Sequence, residues 1–339
     1  MPTHSTAVNT PDESILNWLY SSSEAQYMHQ GILCKRYIEA EYRSVMSNEN
    51  CSRFRVIFEQ QAKVDIASWL NTLAQKGHFC RLERQNSLLG FEVIVQEEPA
   101  QLVADFNAIK TTKNLAVELL MIDQPLPNLN EQGLLVMDMD STAIQIECID
   151  ELAAMAGVGE EVAAVTASAM RGELDFEQSL RLRVSKLANA DAKIIDELCQ
   201  KLPLMPGLTD SLQELQLNQW KLVVASGGFT PFVNYLMHQL KLNAAFANEL
   251  VIEDGKLTGE VTGDVVDAQY KANVIQRCAQ KWQIPPTQTV AIGDGANDIP
   301  MIEAAKLGIA FHGKPKLINA ADLAVNQLDL RALVFCLQA

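Results

Sequence analysis

Asp138 and Asp140 stand two residues apart at the end of an apolar run, Leu134-Leu135-Val136-Met137, and Ser141-Thr142 follow at once. Residues two apart on a strand share a side. In a buried parallel strand the carboxyl end opens on the crevice where ligands bind. Two close carboxylates raise each other's pKa and cost stability, so the pair calls for a cation, a chemical task, or both. A second apolar run, Leu222 to Ala225, leads into Ser226-Gly227-Gly228-Phe229. There the glycines allow a backbone to approach an anion and the hydroxyl adds a donor; the same tripeptide also suits an ordinary turn. A third run, Val290-Ala291-Ile292, leads into Gly293-Asp294-Gly295-Ala296-Asn297-Asp298. This is not the dinucleotide fingerprint, which needs Gly where Asp298 stands. Gly308 to Lys314 fits most of a P-loop spacing, but Pro315 replaces the hydroxyl residue that would bind magnesium, so the match reads as coincidence.

These parts fit phosphoryl transfer. Carboxylates at neighbouring strand ends make a hard-oxygen site that suits Mg²⁺. The metal would neutralise charge on a phosphate and screen Asp138 so that it can attack. A carboxylate nucleophile forms an aspartyl-phosphate and divides hydrolysis into two steps. Asp140 can protonate the leaving oxygen and then activate water. Lys271, near the start of the helix before the third motif, is either a solvated lysine or a clamp on the transferring phosphate.

The elements that must position these residues fall into two patterns. At 339 residues two domains are expected. Residues 1–50 form an unclear N-terminal extension, with a short amphipathic helix at Ser14 to Tyr20 and β-like patches at Gln30 to Ser44. Residues 51–124 read β-α-β-β-α-β: Phe54 to Phe58, a helix over Val64 to Gln75 stopped by Gly77, Phe79 to Glu83, Phe91 to Val95, a helix over Leu102 to Ile109, and Leu115 to Met121. That order is the ferredoxin-like split βαβ. A Pro-containing linker, 125–132, follows. Residues 133–146 and 203–339 then alternate strand and helix as a doubly wound α/β core. Asp254-Gly255 marks a hairpin between Leu250 to Ile252 and Leu257 to Val261. Residues 147–202 read as helices only, an insertion after the first core strand that hangs over the strand ends as a cap.

Composition narrows the function. A net charge of −15 argues against a nucleic-acid-binding surface and means that an anionic substrate needs local positive charge. The seven cysteines contain no C-x-x-C and the five histidines do not cluster, so zinc is not expected and reduced cytoplasmic thiols are. There is no basic-then-apolar leader after Met1-Pro2-Thr3-His4 and no apolar run near the ~20 residues of a membrane span. The Asn50-Cys51-Ser52 sequon is then chance.

Asp-Met-Asp-Ser-Thr, Ser-Gly-Gly-Phe, a downstream Lys and Gly-Asp-Gly-Ala-Asn-Asp, in that order from about Gly133 onward, resemble the four motifs of the haloacid dehalogenase superfamily of phosphatases. The resemblance implies Asp138 as nucleophile and Asp140 as general acid/base. It implies Mg²⁺ on the side chains of Asp138 and Asp294 and the backbone carbonyl of Asp140. Phosphate would be held by Ser226, Gly227 and Lys271, with Asn297 and Asp298 in support, Asp298 by holding Lys271. Within the superfamily, the stretch Met170 to Val184 is similar to the cap of the phosphoserine phosphatases. By that likeness Glu147 faces a substrate ammonium, Arg183 faces its carboxylate, and Met170 and Phe176 wall the pocket against water. An Arg fork and a Glu charge suit those groups, though a solvated Arg183 remains the alternative. Arg181 is on the same helix and points elsewhere. The implied reaction is hydrolysis of O-phospho-L-serine, the last step of serine biosynthesis.

The 51–124 pattern looks like the ACT-type domains that bind amino acids. Its first strand–helix loop, Glu59 to Lys63, lacks a glycine for close approach to a ligand. A structural or homodimerising role is therefore favoured over serine sensing. Two further functions stand beside the leading one: phosphoryl transfer to another alcohol such as homoserine, and an amino-acid-binding regulatory protein.

Overall fold

The computed structural model describes residues 15–29, 32–37, 39, 52–70, 78–95 and 100–339. Gly77, the end of the Val64 to Gln75 helix, the Asn50-Cys51 part of the sequon and most of residues 38–44 lie outside the described residues. The chain divides into two units, residues 1–125 with 338–339, and residues 126–337. Among the described residues no helix is long and apolar enough to cross a membrane, and no disulfide joins the described cysteines.

The first unit is a six-stranded sheet in the order β1-β2-β4-β5-β3-β6. Its strands are β1 Gln26–His29, β2 Ile32–Tyr37, β3 Ser52–Phe58, β4 His78–Leu82, β5 Leu89–Val95 and β6 Val117–Met121. Strands β3 to β6, with the helices Lys63–Leu70 and Ala100–Lys113, run β-α-β-β-α-β. In residues 15–29 and 32–37 the short helix expected at Ser14 to Tyr20 is present as Ile15–Ser21, and two strands follow, β2 lying within the stretch of expected β-like patches and running parallel to β4. Strand alternation explains the core: Phe54, Val56 and Phe58 on one face of β3 pack with Trp69, Phe91 and Phe106. On the opposite face the fully buried Arg55 meets Glu92 at 2.7 Å, and Arg53 meets the same carboxylate at 2.8 Å. Burial works against the Glu92 charge, but the two guanidiniums prevail and hold its pKa below the usual value.

The second unit is a seven-stranded sheet in the order β10-β9-β8-β7-β11-β12-β13. The strands are β7 Leu134–Met137, β8 Lys221–Phe229, β9 Ala244–Glu253, β10 Lys256–Thr262, β11 Thr289–Gly293, β12 Leu307–Phe311 and β13 Leu323–Val325. All neighbours pair parallel except β10, which is antiparallel on β9. β7 is central and buried on both faces, which explains its unbroken apolar run. From β7 the chain builds outward through β8 and β9, then returns to the other flank for β11, β12 and β13. The switch of direction lies between β7 and β11, the position where open α/β sheets leave a crevice at their strand ends.

Five helices separate β7 from β8: Cys148–Met155, Gly159–Met170, Phe176–Ser185 and Lys193–Cys199 in the insertion, and Leu208–Leu217, which leads back into β8. The third begins with a capping box, Asp175 accepting from the Gln178 N–H while the Gln178 side chain accepts from the Asp175 N–H. The β9–β10 hairpin turns at Asp254 and Gly255, both at positive φ. Its second strand is tied to the insertion: Asn189 N–H donates to Leu257 O at 2.8 Å, and Leu257 N–H to Ala190 O at 3.0 Å. Gly259 (φ +86°) lies where β10 meets the helix Phe176–Ser185 and its C-terminal turn, and a Cβ there would be 2.9 Å from the Ala188 Cβ.

Candidate active site

β7 ends at Met137, but its pairing with β11 runs one residue further: Asp138 N–H donates to Ile292 O at 3.0 Å. That bond fixes the Asp138 backbone beside the motif beginning at Gly293. The chain then folds back in a tight turn, with Ala143 and Ile144 N–H both donating to Met139 O. Ser141 sits at φ +58°, and its Oγ lies 2.9 Å from Glu147 Oε1. The turn carries Asp140 to the start of the helix Cys148–Met155, where Cys148 N–H donates to Asp140 Oδ1 at 3.1 Å.

Lys271 comes from the helix Ala268–Trp282, whose N-cap Asp267 accepts from Tyr270 N–H. Lys271 is 1% exposed, and its ammonium donates to Asp138 Oδ1 at 2.7 Å and Asp298 Oδ1 at 2.8 Å. Burial disfavours its charge, but the two carboxylates outweigh burial and hold its pKa above that of an ordinary lysine. Asp298 Oδ2 accepts from Gly295 N–H at 3.0 Å. Gly293 is needed here, since a Cβ on it would come within 2.5 Å of the Asp298 carboxylate.

The other carboxylates are strained electrostatically. Burial raises the Asp138 pKa well above the usual range, with Asp298 adding to the rise and Lys271 opposing it. Burial and the neighbouring Glu147 push Asp140 up to about 7, against the Cys148 N–H. Burial and Asp298 push Asp294 up to about 6, against Lys314. One buried ammonium does not balance these charges. Ligating oxygens of Asp138, Asp294 and Asp298 lie within 4.8 Å of one another. Both Asp298 oxygens already accept hydrogen bonds, which leaves Asp138 and Asp294 the more available pair. An all-oxygen, charge-rich donor set of this kind fits a hard divalent cation.

The Ser226-Gly227-Gly228 segment is not a turn beyond its strand. β8 continues through it as an irregularity, pairing with β9 at Ala225 and resuming at Phe229. Ser226 is fully buried and its Oγ accepts from Gly228 N–H at 2.8 Å, while Gly227, Gly228 and Phe229 form the cavity lining. A Cβ on Gly228 would sit 3.0 Å from Asp140 Oδ2. Asn248 of β9 braces this segment: its Nδ2 donates to Gly227 O at 2.8 Å and its Oδ1 accepts from Val266 N–H.

The resulting cavity, about 420 Å³, brings Asp138, Asp140, Glu147, Met170, Phe176, Arg183, Gly227, Lys271, Asp294 and Asn297 to one space. Phe176 packs against Gly227, whose Cβ position is 3.0 Å from the ring. Met170 lines the rim but is 83% exposed, so in this conformation it does not shut out water. Arg183 is half-buried; burial lowers its pKa while Asp150, Glu147 and Asp140 oppose the shift. Arg181 is turned away, paired with Glu177 at 2.7 Å and donating to Val261 O. Asn248, Cys148 and Lys314 belong to the site or its support and were given no role there by sequence reasoning, whereas Ser141 and Gly228 fall inside the motifs it singled out. A lone Asn in a strand and a Lys after the coincidental P-loop spacing were the available signals.

Residues 133–306 match the haloacid dehalogenase-like hydrolase family, and the chain belongs to that family. Within it, the chain is similar to phosphoserine phosphatases. It is 54% identical to that of Haemophilus influenzae over 239 residues, covering 70% of this chain and 75% of the relative. The unliganded crystal structure of a probable phosphoserine phosphatase from Vibrio cholerae matches with a TM-score of 0.69 and 43% identity, over 84% of this chain and 85% of that one. A phospho-aspartyl intermediate analogue of phosphoserine phosphatase matches with a TM-score of 0.58 and 40% identity, over 61% of this chain and 99% of that one.

Proposed function

We propose that the chain is a Mg²⁺-dependent phosphomonoesterase that hydrolyses O-phospho-L-serine to L-serine and phosphate. The observation that carries the reading is Asp138 at the sheet's switch point, hydrogen-bonded to a buried Lys271 that Asp298 holds in place. The kinship with phosphoserine phosphatases supplies the substrate.

Asp138 attacks phosphorus through one carboxylate oxygen and forms an aspartyl-phosphate, expelling the serine oxygen. Asp140, with a pKa near 7, keeps a substantial protonated fraction at neutral pH and donates that proton to the departing oxygen. As carboxylate it then takes a proton from the water that attacks the intermediate. Lys271 and the Gly227 backbone, with Ser226 beside it, offset charge on the transferring phosphoryl oxygens. Mg²⁺, held by the Asp138 and Asp294 side chains and the Asp140 carbonyl, would supply the charge that lets an anionic nucleophile meet an anionic ester. Glu147, steadied by Ser141, would receive the substrate ammonium and Arg183 its carboxylate; Asn297 supports the motif beside Asp294, and Phe176 narrows the entrance.

The βαββαβ portion of the first unit is ACT-like, and its proposed role is dimerisation rather than serine sensing. The site takes a small molecule, and a cytoplasmic setting suits the reaction.

Phosphate release from a panel of phosphorylated amino acids and sugars tests the reading. Phosphoserine should be preferred, chelation should abolish release and Mg²⁺ restore it. Asp138→Asn, which keeps the shape but not the nucleophile, should lower kcat by at least ~10⁴-fold. Near-normal turnover in that variant overturns the mechanism.

A further inference from the structure

The cavity is lined by five carboxylates, Asp138, Asp140, Glu147, Asp175 and Asp294, and by three cations, Arg183, Lys271 and Lys314. A phosphate monoester is itself an anion, and it must reach this space in a chain of net charge −15. Local positive charge therefore governs its capture. Lys271 is unavailable for a first encounter, being buried and bonded to Asp138 and Asp298. Arg183 is half-buried on the helical insertion, with Glu147 and Asp150 acting on it. Lys314 differs from both.

Its side chain is 69% exposed, and its Nζ is 3.8 Å from Asp294 Oδ2, a loose and solvent-screened contact. Its backbone, by contrast, is fixed. Lys314 N–H donates to Asp294 O at 2.9 Å, and Lys314 O accepts from Leu317 and Ile318 N–H at the start of the helix Pro315–Ala320. A firmly placed backbone thus carries an exposed, loosely paired charge at the cavity. The P-loop spacing does not account for this. Gly308 lies inside β12 and its N–H is taken by Asp322 Oδ2 at 2.7 Å, so no phosphate cradle forms there.

We infer that Lys314 is a substrate-capture residue with two alternative partners: the Asp294 carboxylate while that group binds no metal, and the phosphate of the incoming monoester once it does. This rests on the phosphomonoesterase reading and adds a residue to it. One side chain then affects two affinities in opposite directions. Its ammonium competes with a divalent cation for Asp294, yet attracts the substrate.

The test compares wild type with Lys314→Gln and Lys314→Arg, measuring Mg²⁺ binding calorimetrically without substrate and phosphoserine kinetics at two salt concentrations. Lys314→Gln should bind Mg²⁺ about two- to fivefold more tightly, the scale of an exposed ion pair. Its kcat/KM should fall roughly three- to tenfold at low ionic strength, mainly through KM, and the deficit should shrink in ~0.5 M salt. Lys314→Arg should restore both values. The inference is overturned if the two affinities change in the same direction, if either is unchanged, or if arginine fails to rescue. A wild-type protein inert towards phosphoserine would instead overturn the substrate reading. Orthophosphate binding by calorimetry then decides the capture role: weaker binding to Lys314→Gln supports it, and equal binding overturns it.

Discussion

Arg183 separates the chemistry of this site from its selectivity. The reaction at Asp138 needs only a phosphate ester, so an amino-acid head group must be read elsewhere. Loss of a charge-assisted pair in a closed pocket costs ~2–5 kcal/mol. Arg183→Ala should therefore lower kcat/KM for phosphoserine by roughly 30-fold to several thousand-fold. An aryl phosphate without a carboxylate should be affected much less, and equal losses on the two substrates would count against the assignment. The half-buried carboxylates Asp140 and Asp294 give a second prediction at this scale. Asp140 and Asp294 have folded pKa values of about 7 and about 6, above the 3.8 of an unperturbed Asp. Across the window from about 4 to 7 the folded chain binds more protons than the unfolded one, so the stability these groups contribute declines as pH rises. Metal-free protein should lose thermal stability from pH 5 to pH 8, and Mg²⁺ should restore more of it at pH 8. Thermal unfolding in chelator and in Mg²⁺ measures this; a metal-free Tm that rises over the interval contradicts it.

Among the elements, the three strands that meet at the site were legible because each pairs an apolar run with a polar end, a local pattern. Near the N-terminus the short helix and β-like patches were legible, but the place of β1 and β2 in the sheet was not, since both are short and are positioned only by pairing alongside β4. Asn248 was hidden for the same reason. It lies some twenty residues beyond Gly227, and only the β8–β9 pairing brings its amide to that loop. Ser226-Gly227-Gly228 could be seen as unusual, but whether it formed a turn or an interrupted strand depended on β9. The hairpin offers a controlled experiment. Gly255 and Gly259 both have positive φ, yet a Cβ at 255 meets nothing within 4 Å and one at 259 meets Ala188. Gly255→Ala should cost about 1 kcal/mol from backbone conformation alone. Gly259→Ala should cost more, about 2–3 kcal/mol, and displace the hairpin from the helical insertion. Chemical denaturation of the two variants distinguishes them, and equal costs would remove the packing role given to Gly259.

At the scale of the whole molecule, the two units carry separate cores, and every residue proposed for catalysis lies in the second. A fragment beginning near Asn128 should fold and hydrolyse phosphoserine, a result read by circular dichroism together with phosphate release. A folded but inert fragment would mean that the first unit completes the site. The central place of β7 also sets a timetable for synthesis. The strand that carries the nucleophile emerges from the ribosome before either of its sheet neighbours: β8 begins at Lys221, and β11 supplies its partners only from Thr289 onward. Closing so long a stretch of chain is entropically slow. The first unit has all but its last two residues by Pro125 and can begin to order early. The aspartate that does the chemistry thus gains its setting late, when most of the chain has already been made.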